Sequence, residues 1–326
     1  MSAGLKPRRP GPGRRANRYG RTVTQLRIAT FNLLHGQPLA GDGTPLPYPL
    51  DPAEPLHEAI AALDADVLAL QEVDRHQERS GLTDQTAVAA KAMGAADWRF
   101  AAALHGRPAP VAGWITDPAH AGLTVYGPAE LGSATELPSY GTALLTRLPV
   151  SHWRARRFAP APFGLPLRVA GRRGLTPVPD EPRAALAAVL EGEHGPFTVV
   201  AAHLSFVPGW NMAQLAAVRR WIADLPQPHL VLGDFNLIGA VPRTVLGGAS
   251  ARDRVRTARA VRRARPRTRL HGWYDLAKTP TYPSHRPTVQ FDHVLAMGLP
   301  RQAATSARAP RAVVSDHRPL VVEVDL

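Results

Sequence analysis

Two patterns of apolar and polar positions interleave along the chain from about residue 25 onward. Residues 66–73, DVLALQEV, form a continuous apolar run, which predicts a strand buried on both faces. Residues 54–65 place Leu56 and Ile60 on one face of a helix. Because strand-like and helix-like segments alternate, we predict an α/β fold in which sheets and helices form layers.

Other segments extend this pattern. Residues 83–94 predict a helix with Thr83 as its N-cap and Gly94 as its stop. Further elements are predicted as strands over residues 26–34, 141–150, 229–237, 289–296 and 319–326, and as a helix over residues 211–225.

Two regions are less regular. Residues 104–139 are rich in Gly, Pro and Ala, which predicts long loops. The Ala-rich residues 183–190 are compatible with a helix. A strand-like run over residues 195–206 follows them across a short turn, which favours a β-hairpin.

The net charge of +13 is concentrated in two segments. Residues 1–21 contribute +7 and residues 252–269 contribute +8, which leaves the rest of the chain at −2. A basic groove across the globular body is therefore not indicated. The tail and the Arg252–Arg269 segment could bind nucleic acid or anionic lipid. A solvated charged surface without a partner explains them equally well.

Composition also limits the domain organisation and the compartment. Residues 1–24 predict a disordered basic tail, and residues 25–326 predict one domain with an Arg-rich insertion at 251–270. No apolar run reaches about 18 residues, so no transmembrane segment is expected. The N-terminus has no apolar core typical of a signal peptide, which makes a cytoplasmic location the expectation. The chain has no cysteine, which excludes disulfides and thiolate metal sites.

The stretch HLVLGDFNLIG, residues 229–239, ends an apolar run with a carboxylate and an amide. Asp and Asn are common in turns, so a turn is the ordinary interpretation of Asp234 and Asn236. In an extended segment, however, residues i and i+2 point the same way. The two side chains would then face one space and could serve one small ligand.

Several other strand-like runs end in, or contain, isolated polar residues. Singly, each has an ordinary explanation, such as a satisfied core histidine at His203 or a solvated strand end at Glu72. Together they indicate a site, because carboxylates are rarely buried without partners. The set consists of Asn32, Glu72, His203, Asp234, Asn236, Asp292, Asp316 and His317.

These residue types fit the cleavage of a phosphate ester. Such a reaction needs a hard cation held by oxygen ligands, which Glu72 and Asp316 can supply with the amide of Asn32 nearby. It also needs a group that orients or deprotonates water, for which Asp234 is the candidate. Asn236 can hold the phosphoryl oxygen.

The histidines fit the same chemistry. His203 and His317 can donate hydrogen bonds to phosphate oxygens. Asp292 can bond a histidine and keep it charged and oriented, as carboxylate–histidine pairs do.

At these positions the sequence resembles the endonuclease/exonuclease/phosphatase superfamily. The matching motifs span residues 28–320 in family order: FNLLHG, LALQEVD, YGTALLTRLPV, AAHL, GDFN, FDHVLA and SDHRPL. The resemblance implies a four-layer α/β/β/α sandwich with two mixed β-sheets. It also implies a site where strand-end loops meet at one edge of the sandwich.

The resemblance implies roles for the same residues. Glu72 would be the principal ligand of Mg²⁺ or Mn²⁺, and His203 would contact the phosphate or assist the leaving group. Tyr140 matches a tyrosine that some branches use against phosphate, although a core tyrosine is an equal alternative. Arg183 is a weaker candidate for a charge contact, and a surface arginine is the favoured interpretation.

Two differences from known branches of the superfamily narrow the choice of branch for this sequence. Leu34 stands where abasic-site endonucleases have an acidic residue, and no Trp-Cys-Asp-Arg signature of inositol 5-phosphatases precedes Asp292. The sequence therefore predicts a metal-dependent phosphodiester hydrolase acting on nucleic acid or on a phospholipid head group. The alternatives are a phosphomonoesterase acting on a small molecule or lipid, and an inactive nucleic-acid-binding member.

Overall fold

The computed structural model describes residues 14–16, 22–109, 113–130, 137–167, 173–248 and 272–326. The Arg-rich insertion at 251–270 lies outside the described residues, as does most of the tail at 1–24, so the predictions made for them remain predictions. Within the tail, residues 14–16 pair with residues 22–24 as short antiparallel strands.

The first sheet is mixed and carries most of the N-terminal half. Among the described residues it contains β1 (Arg14–Ala16), β2 (Thr22–Asn32), β3 (Val67–Arg75), β4 (Asp97–Ala109), β5 (Gly113–Thr116), β6 (Thr124–Tyr126), β7 (Ser139–Thr146), β16 (Ala304–Arg308) and β17 (Leu320–Asp325). The strand order is β16-β17-β2-β3-β7-β4-β5, with β1 beside β2 and β6 beside β4. β2 and β3 run parallel, and the other pairs are antiparallel.

The second sheet is also mixed. Its strands are β8 (Val150–Phe158), β11 (Arg183–Gly192), β12 (Gly195–His203), β13 (His229–Asp234), β14 (Tyr274–Asp275) and β15 (Asp292–Met297), in the order β14-β15-β13-β12-β11-β8. β12 and β13 are parallel, and β11 and β12 form the expected hairpin. Two short strands, β9 (Leu165–Leu167) and β10 (Thr176–Val178), pair with each other and with no other strand among the described residues.

Helices cover the outer faces of both sheets. They are α1 (Ala53–Ala61), α2 (Gln85–Met93) and α3 (Trp210–Trp221), with a further helical stretch at residues 241–248. Short 3₁₀ turns occur at Leu34–Gly36, Glu78–Ser80, Pro118–His120, Pro128–Glu130 and Arg301–Ala303. In the part of the chain that the structure describes, no helix is both long and apolar enough to cross a bilayer.

Alternating side chains divide the core into separate layers. On β13, Leu230 and Leu232 pack between the two sheets, whereas Val231 points outward against Leu215 of α3. On the outside of the first sheet, Ile60 of α1 belongs to a third buried cluster. The predicted four-layer α/β/β/α sandwich with two mixed sheets is thus confirmed.

Some local predictions were wrong. The N-cap of α2 is Asp84, not Thr83, because the Asp84 carboxylate accepts a hydrogen bond from the Ala87 N–H; Gly94 does end the helix, with φ +67°. Residues 104–139 are not all loops, since β4 continues to Ala109 and pairs with β5 and β6. At Gly106, φ is +148° and a Cβ atom would lie 2.2 Å from the Ile115 carbonyl oxygen, so the glycine in this segment permits strand pairing.

Candidate active site

Strand register brings three of the expected residues to one level of the second sheet. His203, the last residue of β12, is the parallel partner of Asp234, the last residue of β13. On the other side of β13, Asp234 pairs with Asp292, the first residue of β15. In the facing sheet, β2 ends at Asn32, and β2 and β3 pack against β13. The polar strand ends therefore meet at one edge of the sandwich.

Glu72 reaches this edge because of a bulge in β3. Its pairing with β7 shifts register between Leu70 and Val73, and Glu72 adopts a left-handed conformation with φ +53°. Such bulges re-aim a side chain, and a strained non-glycine residue at this place is consistent with a functional role.

Asn32 joins the two sheets at the site. Its Nδ2 donates to Glu72 Oε1 and to Asp234 Oδ2, both at 3.0 Å. Its Oδ1 accepts a bond from the Leu34 N–H at 3.0 Å. One amide thus fixes a carboxylate of the first sheet and a carboxylate of the second at hydrogen-bond distance from itself.

The GDFN stretch combines a turn with a site residue. At Gly233, φ is +146° and a Cβ atom would lie 1.8 Å from the Ala202 carbonyl oxygen, so only glycine lets β12 and β13 approach here. The Asn236 N–H donates to Asp234 Oδ1 at 2.9 Å, as in an Asx turn. Asn236 has φ +50°, and its Nδ2 donates to the Leu204 carbonyl at 3.0 Å. The strand ends at Asp234, so the extended geometry from which the i, i+2 alignment was predicted was wrong.

His317 is held by a carboxylate and by a pinned loop. Its Nδ1 donates to Asp292 Oδ2 at 2.8 Å, and its Nε2 lies 3.8 Å from Asp234 Oδ2. Ser315 fixes the loop, because its hydroxyl donates to the Asn32 carbonyl at 2.6 Å and accepts from the His317 N–H. Burial lowers the pKa of His317, but the surrounding aspartates, Asp292 first, raise it to about 10. His317 is therefore cationic at neutral pH.

Replacing Asp292 by Asn is expected to lower the pKa of His317. An oppositely charged neighbour shifts a pKa by roughly 1 to 3 pH units, so the protonated imidazole should be lost at a correspondingly lower pH. NMR titration of metal-free protein labelled at histidine would measure this change. In the control Asp275→Asn, the missing carboxylate is the partner of His293 at 2.6 Å, and the pKa of His317 should stay in place. A His317 titration that Asp292→Asn leaves unmoved would contradict this pairing.

Arg183 is buried rather than exposed, so the favoured interpretation as a surface arginine was wrong. It is 4% exposed at the start of β11, and its Nη1 lies 2.9 Å from His203 Nδ1 and 3.0 Å from Nε2. A guanidinium cannot accept a hydrogen bond, so the imidazole must accept one. Burial and then Arg183 lower the pKa of His203 well below its usual value, which keeps it neutral. Glu181 compensates Arg183 through an ion pair at 3.0 Å.

Three buried acidic side chains at the site, Glu72, Asp234 and Asp316, would be negatively charged together when ionised, which suits a cation. Burial raises the pKa of Glu72 to about 7; the hydrogen bond from Asn32 opposes this rise, and Asp316 adds to it. Burial also raises the pKa of Asp316 and of Asp234. A divalent ion bound by hard oxygen donors would favour the ionised form of these carboxylates, so the donor set fits Mg²⁺ or Mn²⁺.

A second group of possible metal ligands overlaps this site. Asp234, Asp292 and His317 offer ligand atoms that all lie within 4.8 Å of one another. In the structure, His317 donates its Nδ1 proton to Asp292, an arrangement that also suits proton transfer and contact with a phosphate. Glu72 with Asp316, and the group of Asp234, Asp292 and His317, are thus two candidate cation sites.

Tyr140 and two unpredicted residues lie beside the site. Tyr140 is 5% exposed and lines a cavity together with Glu72 and Arg183. Both predictions for it, a contact with the phosphate and a core tyrosine, are compatible with this position. Glu181 was missed, although it lies two positions before Arg183 and could have been paired with it from spacing. Trp114, which donates to Glu181, lay in the region expected to form loops and carried no sequence signal.

Comparison with known proteins identifies the family. The sequence model of the Endonuclease/Exonuclease/phosphatase family matches residues 29–317, and the chain belongs to this family. Its members include phosphoesterases and nucleases. A comparison with curated proteins finds no match.

Solved structures show the same fold at low sequence identity. An endonuclease/exonuclease/phosphatase from Beutenbergia cavernae is 19% identical with a TM-score of 0.52, over 93% of this chain and 72% of that one. One from Bacteroides vulgatus is 17% identical with a TM-score of 0.52, over 93% and 99%. A family protein from Leptotrichia buccalis is 12% identical with a TM-score of 0.51, over 92% and 100%.

Proposed function

We propose that the protein is a divalent-metal-dependent hydrolase that cleaves a phosphate ester by direct attack of water. The observation that supports this most strongly is the pair of hydrogen bonds from Asn32 to Glu72 and Asp234. These bonds hold the carboxylate of Glu72, the proposed metal ligand, beside that of Asp234, the proposed base, at the edge of the sandwich. Family membership supports the same reaction class, since the family acts generally on phosphate esters.

The cation site is assigned to the first sheet and its loops. Glu72 and Asp316 would hold Mg²⁺ or Mn²⁺, and Asn32 would orient Glu72 and could add its remaining Oδ1 lone pair. When bound, the ion supplies Lewis-acid polarisation of the phosphoryl oxygen. The raised pKa of Glu72 supports this assignment, because a bound cation would stabilise the ionised form of this buried carboxylate.

The proton and phosphate contacts are assigned to the second sheet. Asp234 orients the attacking water and accepts its proton, since its Oδ2 faces the site. Cationic His317 donates from Nε2 to a phosphate oxygen, while Asp292 holds its Nδ1. Neutral His203 contacts the phosphate or assists the leaving group. Asn236 offers its second amide hydrogen to a phosphoryl oxygen, because the first is used by Leu204.

A phosphodiester is the first choice of substrate, with nucleic acid and a phospholipid head group as the two versions. A phosphomonoester is the second choice. Contacts with nucleic acid or anionic lipid would involve the basic tail and the Arg252–Arg269 segment, which lie outside the described residues. An inactive binding member is disfavoured, because the set that the reaction needs is complete: Glu72, Asp234, Asn236, Asp316 and His317 are all present.

A metal-supplemented screen would test the proposal. Purified protein would be assayed with Mg²⁺ or Mn²⁺ on plasmid DNA, RNA, sphingomyelin, phosphoinositides and chromogenic phosphate esters, beside the Asp234→Ala variant. We expect hydrolysis of at least one ester that requires both the metal and Asp234. Activity that persists equally in Asp234→Ala would belong to a contaminant, and a screen without Asp234-dependent hydrolysis would contradict the proposal.

A further inference from the structure

A cavity of about 450 Å³ opens beside Glu72. The described residues that line it include none of those assigned above to contacts with the reacting phosphate. Its lining combines Arg183 at the site with the rings of Trp114, Tyr140 and Phe206. A larger cavity of about 730 Å³ surrounds the β11–β12 turn, but that turn lies at the opposite ends of the strands and holds no candidate site residue. The smaller cavity is therefore the one that bears on the substrate.

Two hairpins build the outer wall of this cavity. β4 extends beyond its pairing with β7 to form a hairpin with β5, and β9 pairs with β10. The first hairpin touches the segment after β10, because a Cβ atom on Gly113 would lie 3.0 Å from Pro179 Cγ. Trp114 Nε1 donates to Glu181 Oε2 at 2.6 Å, which ties the same two segments together.

The wall presents aromatic rings beside the guanidinium group of Arg79, whose charge is paired with that of Asp74. The ring centroids of Trp114 and Tyr140 lie 4.9 Å apart, with an interplanar angle of 40°. Arg79 Cζ lies 5.2 Å from the Trp114 ring centroid and 5.6 Å from that of Tyr140. Asp74 holds Arg79 in place through two hydrogen bonds at 2.8 Å. Such a wall suits a planar, partly apolar group attached to an anion.

The volume indicates a compact ligand. Small-molecule pockets typically enclose roughly 300–1,000 Å³ and are lined by apolar and aromatic side chains with a few polar groups. Prolines and aliphatic residues complete the lining here, among them Leu34, Leu167 and Pro177.

We propose that this cavity takes a planar, ring-bearing organic group of the phosphate-ester substrate, so that the ring stacks on the aromatic wall beside the reacting phosphate. The inference rests on the proposed function, because it assumes that the phosphate of the same molecule lies at Glu72 and Asp234. Trp114 then determines specificity by stacking on the ring.

Binding of phosphonates tests this inference without depending on turnover. Calorimetry with Mg²⁺ present would compare phenylphosphonate with methylphosphonate, which are inert to hydrolysis and differ in the ring. We expect the phenyl compound to bind roughly tenfold more tightly, in keeping with an aromatic contact. Trp114→Ala should remove most of this preference, whereas Trp114→Phe should retain it because the ring remains.

The matched control is Trp210→Ala, which removes an exposed tryptophan at the start of α3 and should keep the wild-type preference. Thermal melting would establish that each variant is folded, and Phe206→Ala provides a second change in the cavity with the same expected direction. Equal binding of the two phosphonates to the wild type, or an unchanged preference in both Trp114→Ala and Phe206→Ala, would overturn the inference.

Failure of the proposed function has a different signature. Ring-dependent binding without any Asp234-dependent hydrolysis of phenyl esters would support the cavity as a ligand site and contradict the assigned reaction. Asp234-dependent hydrolysis without ring preference would support the reaction and overturn the inference about the cavity.

Discussion

Replacing Asp234 by Asn is expected to reduce the rate of phosphate-ester hydrolysis by roughly 10²- to 10⁴-fold, the usual contribution of a positioned acid or base. The amide can still accept the bond from the Asn236 N–H, but it cannot take a proton from water. The substitution also replaces Asp234 Oδ2, which accepts a hydrogen bond from Asn32, by an NH₂ group or an uncharged oxygen. The loss should appear in kcat more than in KM, because the proton transfer occurs in the transition state.

A surface carboxylate provides the control for this change. Asp224 is exposed and pairs with Arg154 at 2.6 Å, so Asp224→Asn should leave turnover unchanged. Steady-state kinetics on one chromogenic ester, together with thermal melting of both variants, would separate loss of chemistry from loss of folding. A folded Asp234→Asn enzyme within about tenfold of the wild-type rate would rule out Asp234 as the base.

Replacing Glu72 by Gln is expected to weaken metal binding by at least roughly 100-fold, since even the partners of metal ligands contribute about 10- to 100-fold to affinity. The amide keeps the shape of the side chain and can still accept from Asn32, so the fold should survive. What it lacks is the negative charge that offsets the divalent ion. Turnover at limiting Mg²⁺ should fall by a similar factor and recover in part when the metal concentration is raised.

Glu78→Gln is the matched control, because Glu78 is exposed and pairs only with the exposed Arg107 in the described structure. Titration of Mn²⁺ by calorimetry or electron paramagnetic resonance would give the affinity of each variant. An unaltered Mn²⁺ affinity in Glu72→Gln would move the cation elsewhere, with the group of Asp234, Asp292 and His317 as the next candidate.

The core strands could be predicted from sequence because burial on both faces leaves a continuous apolar signal. Residues 66–73 illustrate this, since β3 spans Val67–Arg75. The edge strands β8 and β16 escaped prediction because they carry exposed polar residues, as in the SHWRARRF segment of β8. An edge strand is defined by its neighbour, and one sequence does not show which segment will lie beside it.

The sequence indicates candidate site residues, but it does not indicate their geometry. Isolated carboxylates and histidines at strand ends indicated where the site would form. The left-handed conformation of Glu72 and the bulge around it depend on pairing with β7, a contact distant in sequence. Arg183 was placed at the surface because its burial depends on Glu181 and His203, which surround it only after the hairpin has formed.

Asn32 binds carboxylates that belong to opposite sheets, and this has a mechanical consequence. Slippage of one sheet over the other by about 1 Å would change the spacing of the reacting groups, and a misplacement of that size can cost about 10²-fold in rate. Side chains that do not contact the substrate, such as Ile28 and Leu232 between the sheets, therefore help to set the distance between Glu72 and Asp234. We therefore expect substitutions that loosen the packing between the sheets to lower the rate of phosphate-ester hydrolysis, although they lie outside the site.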